Sequence, residues 1–78
     1  MQGYLENFNI GDEVEASFTN TGRILRFKGR IIGRTKNYWK VESLVSVWPG
    51  EDAGRMFHIA TMESRIWSVN NRILGKVE

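Results

Sequence analysis

The chain has 78 residues, 41% hydrophobic and 26% charged, with a formal net charge of +2 and no cysteine. That length supports one core and excludes a second domain. The missing thiols exclude disulfides and thiolate metal sites, and no run approaches the roughly 20 apolar residues of a membrane-spanning helix.

Residues 1–10 have no clean period, and Leu5, Phe8 and Ile10 are expected to cap one end of the core. The start, Met1-Gln2-Gly3-Tyr4-Leu5-Glu6, has neither the basic flank nor the apolar centre of a signal peptide. The expectation is a soluble, cytoplasmic, single domain over residues 1–78 with no membrane partner. Gly11-Asp12 reads as a turn into Glu13–Phe18, where Val14, Ala16 and Phe18 alternate with Glu13, Glu15 and Ser17, predicting a strand with an acidic outer side. Thr19 to Gly22 supplies a turn, Gly22 being free to adopt positive φ.

From Leu25 to Arg34 apolar or small residues hold the odd positions, and basic ones hold the even positions apart from Ile32. This period of two marks a half-buried strand. A tight turn at Lys36-Asn37 leads into a second run, Tyr38 to Val45, with Trp39, Val41 and Val45 on one parity. Folded as a hairpin, the runs place Phe27, Ile31, Trp39 and Val41 inward and Lys28, Arg30, Arg34, Tyr38 and Lys40 outward. Gly29 and Gly33, on the inward parity, predict a sharp bend or a close approach of backbones, or room for Trp39 or Trp48.

Trp48 to Gly54 is a loop by its proline, glycines and acids. Met56 to Thr61 predicts a strand with Phe57 and Ile59 inward. Residues 62–69 fit a helical face (Met62, Ile66, Val69) as well as a strand (Arg65 to Val69). Asn70-Asn71, tolerant of left-handed backbone, favours a hairpin turn and hence the strand. Ile73, Leu74 and Val77 predict the last strand.

The order of these elements resembles the SH3-like small β-barrels, nearest to the KOW-like and Tudor-like members: Gly-Asp before a first strand, a long basic second strand with Gly-Arg-Ile-Ile-Gly, a tight turn, Tyr-Trp-Lys-Val-Glu, then short strands, over residues 10–77. The resemblance implies an all-β fold, a small closed antiparallel barrel of five or six strands, used for binding. A more remote likeness is to the plasmid-borne type II dihydrofolate reductases, short chains that work as a tetramer around a pore. It rests on Gly11-Asp12, Gly29 to Gly33, Tyr38 to Ser43 and Pro49-Gly50. That family's pore motif Val-Gln-Ile-Tyr has no counterpart here, Met56-Phe57-His58-Ile59 being the nearest-placed segment, so a pore-type oligomeric reductase ranks last.

Charge is segregated. Residues 1–20 carry four acids and no base, and residues 21–40 carry seven bases and no acid. Arg26, Lys28, Arg30, Arg34, Lys36, Tyr38 and Lys40 therefore form a candidate nucleic-acid face, the bases matching phosphates and the ring offering a stacking surface. An equally weighted alternative is that these cations solvate an exposed strand and pair with Glu13, Glu15 or Glu42. Trp39 is expected in the core. Trp48 and Trp67 are candidates for a protein or self-association interface, or for capping the ends of a barrel. His58, off the parity of Phe57 and Ile59, reads as a solvated side chain, since no nucleophile or carboxylate is spaced to work with it. The acidic pairs Asp12-Glu13 and Glu51-Asp52 sit at turns, and no glycine spacing cradles a phosphate, so no catalytic residue, metal site or cofactor is expected.

Overall fold

The longest element, Arg23–Arg34, is the spine of the fold. In a computed structural model that describes residues 7–47, 50 and 52–77, five strands follow in chain order: β1 (Glu13–Asn20), β2 (Arg23–Arg34), β3 (Tyr38–Ser43), β4 (Met56–Ala60) and β5 (Arg72–Lys76). All pair antiparallel in one sheet of order β4-β3-β2-β1-β5, and the described residues include no helix. Because the β4 and β5 edges share no ladder, the sheet is open, in contrast to the closed barrel expected from the resemblance.

The period-two pattern sorts side chains as the sequence predicts over most of the sheet. Val14 and Ala16 of β1, Phe27 and Ile31 of β2, Trp39 and Val41 of β3, Phe57 and Ile59 of β4 and Ile73 of β5 form one buried cluster. Phe18, Phe27 and Phe57 meet ring against ring, with centroids 4.5 to 5.9 Å apart. Phe8 stands edge-on to Trp39 at 5.8 Å and caps that end. Ile10 does not cover the core; it is 65% exposed at a turn. In that turn Asp12 N–H donates to Asn9 O, and Gly11 takes φ 98°.

The β1–β2 turn pairs Asn20 with Arg23, so Thr21 and Gly22 are its two central residues. Both have positive φ, 49° and 79°, as a type I′ turn requires. Gly29 answers a close approach: a Cβ there would lie 2.5 Å from Val41 Cγ1 and 2.8 Å from the Glu42 carbonyl oxygen. Among the described residues, the space it leaves is filled by Val41 and Phe27 and not by Trp39.

A β-bulge interrupts the β2–β3 ladder. Ile31 pairs with Val41, but the next pair is Gly33 with Lys40, leaving Ile32 without a partner. One extra residue inverts the parity beyond it. Gly33 therefore shares the outer face with Lys40, whose Cδ a Gly33 Cβ would approach to 3.3 Å. Arg34 pairs with Trp39 instead.

β3 ends at Ser43, and Val45 is 46% exposed outside it. The buried Ser43 fastens the following loop: its N–H donates to Arg55 O, and its Oγ accepts from Gly54 N–H and Arg55 N–H at 3.2 and 3.0 Å. Residues 62–67 run through successive turns and bends, neither strand nor helix. The tight turn that follows is centred on Val69-Asn70, one residue earlier than expected, between the bridged pair Ser68 and Asn71. Asn71 is held back by side-chain bonds to Thr19, its Oδ1 accepting from Thr19 N–H at 3.0 Å.

Candidate nucleic-acid interface

On the outer face the basic residues of β2 do not form an unopposed row. Arg26 lies across from Ser17, Lys28 across from Glu15, and Arg30 between Glu13 and Glu42. Arg30 Nη2 donates to Glu13 Oε2 at 3.0 Å, both side chains being close to half exposed. Such a surface pair contributes under about 1 kcal/mol of stability, yet it cancels the charge locally. For Arg30 the pairing alternative is the one realised.

Arg34 leaves this face altogether. The bulge carries it to the Trp39 side, where its guanidinium carbon sits 4.7 Å from the centre of the Trp39 ring. The expected outward set of Lys28, Arg30, Arg34, Tyr38 and Lys40 is corrected accordingly: Arg34 drops out, because the extra residue Ile32 inverts the alternation between Arg30 and Arg34.

The remaining members cluster at the β3–β4 end. Lys40 lies between Gly33 and His58, so neither cross-strand neighbour is an acid. Tyr38 is across from Ala60 and diagonal to His58. Its ring leans over the small residue to reach the imidazole, with ring centroids 5.3 Å apart and planes 32° from parallel. Tyr38 is 40% exposed and His58 is exposed, so the pair presents ring surface to solvent. Diagonal pairs at this spacing are within reach of aromatic side chains.

Beside Tyr38 lies a cleft of about 410 Å³ lined by Lys36, Asn37, Tyr38, Glu63, Ser64, Arg65 and Ile66. One buried residue holds both of its walls. Thr61 Oγ1 donates to the Lys36 carbonyl at 2.7 Å, and Thr61 N–H donates to the Asn37 carbonyl at 3.0 Å, which fixes the β2–β3 turn. Thr61 also accepts from Glu63 N–H through Oγ1 and from Ser64 N–H through its carbonyl, which fixes the opposite wall. The Lys36-Asn37 turn itself is closed by Thr35, whose N–H donates to Tyr38 O at 2.8 Å.

Lys36, Tyr38 and Lys40 are thus brought together, while Arg26, Lys28 and Arg30 lie farther along the sheet and Arg34 lies on its other side. The grouping adds His58, Glu63, Arg65 and Ile66, which the sequence reading did not place in a site. His58 shares the outward parity of Tyr38 and Lys40, a signal that becomes usable only once β4 is known to pair with β3. Of the two tryptophans expected at an interface, Trp67 is half-buried and Trp48 lies outside the described residues. No family model, no curated protein and no solved structure matches this chain.

Proposed function

We propose that the chain is a non-catalytic module that binds single-stranded nucleic acid at the β3–β4 end of its sheet. The observation that carries this reading is the exposed Tyr38–His58 ring pair beside Lys40, next to a cleft bordered by Lys36 and Arg65. Rings accept the faces of unstacked bases without regard to sequence, and cations at the same end meet the phosphates between them. We further infer an SH3-like architecture: the order β5-β1-β2-β3-β4, with a long β2 that pairs with β1 over its first part and with β3 over its second, supports it. Lys36, Lys40 and Arg65 are the charges assigned to phosphate contact, with Arg26 and Lys28 as more distant contributors.

Three phosphate contacts give a log affinity that falls with log salt at a slope near −2 for a single strand. The test is fluorescence anisotropy of a labelled eight-nucleotide thymidine oligomer titrated between 50 and 200 mM salt. A slope near −2 supports the reading, and absence of binding or a flat salt response overturns it.

A protein-interaction or self-association role is the second reading. It is favoured by Ile66 and Val69, 59% and 66% exposed in the segment between β4 and β5, since exposed apolar side chains in one stretch mark contact surfaces. A mass above the monomer by light scattering, lowered by replacing both with Ser, is its signature.

A further inference from the structure

We propose that the cleft beside Tyr38 is a nucleotide subsite that prefers guanine, an inference that rests on the single-strand reading above. The cleft, at about 410 Å³, falls within the range of small-molecule sites and suits one nucleotide. Tyr38 belongs both to the ring pair and to the cleft lining, so a strand with one base on Tyr38 and His58 brings its neighbouring nucleotide to the cleft mouth. Lys36 on one wall and Arg65 on the other supply cations for that nucleotide's phosphate.

Glu63 decides the base. A carboxylate in a site otherwise suited to phosphate repels the backbone and offers only acceptors, so it selects a base edge that presents donors. Guanine presents two neighbouring donors on its Watson–Crick edge, N1–H and the N2 amino group, which match the two oxygens of one carboxylate. Thymine offers a single N–H there between two carbonyls, and adenine pairs its amino group with an acceptor. Reading unstacked bases on this edge is how single strands are discriminated. The backbone that carries Glu63 is anchored at the cleft, its N–H donating to the buried Thr61 hydroxyl at 3.2 Å, which leaves the exposed carboxylate to meet the base.

The test compares four labelled eight-nucleotide DNA oligomers by anisotropy at one salt concentration: all thymidine, and thymidine with a single central guanine, inosine or cytosine. The guanine oligomer is expected to bind about tenfold tighter than all-thymidine, in line with a bidentate base contact. Inosine, which lacks the N2 amino group, should lose most of that gain. In Glu63→Gln the ratio of guanine to thymidine affinity should fall to about one. Equal affinities for all four oligomers, with salt-dependent binding retained, overturn the guanine subsite and leave the single-strand reading standing. Absence of binding to any oligomer overturns both. A guanine preference that survives in Glu63→Gln overturns the assignment to Glu63, and the inosine comparison needs no variant at all.

Discussion

Arg34 lies over the indole of Trp39, 4.7 Å from the ring centre, although Arg30, four positions earlier on the same strand, reaches Glu13 on the opposite face of the sheet. The unpaired Ile32 between them accounts for the reversal. The two arginines therefore have different consequences when removed. Arg34→Ala should lower stability by about 0.5–1 kcal/mol, the range for an exposed cation–π contact, or roughly 4 °C in Tm for a domain of this size. Arg30→Ala should lower Tm by less than that, and neither should change oligonucleotide affinity more than about twofold. Thermal melts and anisotropy on the two variants check this, and a large affinity loss in Arg34→Ala would place the contact surface on the wrong side of the sheet.

Tyr38 and His58 should behave in the opposite manner. Replacing Tyr38 by Ala removes a stacking surface worth about 1–3 kcal/mol per base, so affinity should fall at least fivefold while Tm moves little. Tyr38→Phe should retain most of the binding, and His58→Ala should weaken it by a smaller factor. Tyrosine and tryptophan emission during titration reports the same contact independently of the label.

The two glycines of β2 predict a sharp contrast. Gly29→Ala drives a methyl to 2.5 Å from Val41 and 2.8 Å from a backbone carbonyl, and overpacking against an immobile neighbour costs about 3 kcal/mol. Gly33→Ala meets only the flexible stem of Lys40 at 3.3 Å; it should be neutral or stabilising by up to about 1 kcal/mol through the unfolded state. Urea denaturation of both variants distinguishes them, and equal losses would argue against the close approach at Gly29.

Thr21 occupies a left-handed position, φ 49°, that β-branched residues avoid. Thr21→Asn supplies the residue preferred before glycine in a type I′ turn and should raise stability by about 1 kcal/mol, or roughly 4–8 °C. A fall in Tm would mean that the turn relies on the threonine side chain.

Much of this fold is legible in the chain because alternation survives wherever one face is buried. Val14 and Ala16, Phe27 and Ile31, Trp39 and Val41, and Phe57 and Ile59 are all buried on the parity that the pattern assigns to them. Gly29 marks the close approach expected of it. What alternation does not reveal is a change of register. Ile32 breaks the pattern visibly, yet a hydrophobic residue on the polar parity reads as an exception until the cross-strand partners show it to be a bulge. The candidate site was legible in part for a related reason. Lys36, Tyr38 and Lys40 are neighbours in sequence, whereas His58 and Arg65 reach them through strand pairing and through Thr61. Residues 62–67 fit a helical and a strand period equally well and adopt neither, because their shape is set by bonds to Thr61 and Ser64 rather than by a buried stripe.

The knot of bonds at Ser43 has a practical corollary. Chain leaving β3 and chain arriving at β4 are clamped there to one another, and the departing side stays tied to the sheet through Leu44 N–H, which donates to Lys28 O, and through Val47, which packs on the core. Doubling the length of such a loop costs only about 0.6 kcal/mol of closure entropy. The exposed Asp52 and Ala53, just outside the clamp on the arriving side, are consequently where an epitope, a reporter peptide or a tether could be spliced in without disturbing the ring pair at the far end of the same strands.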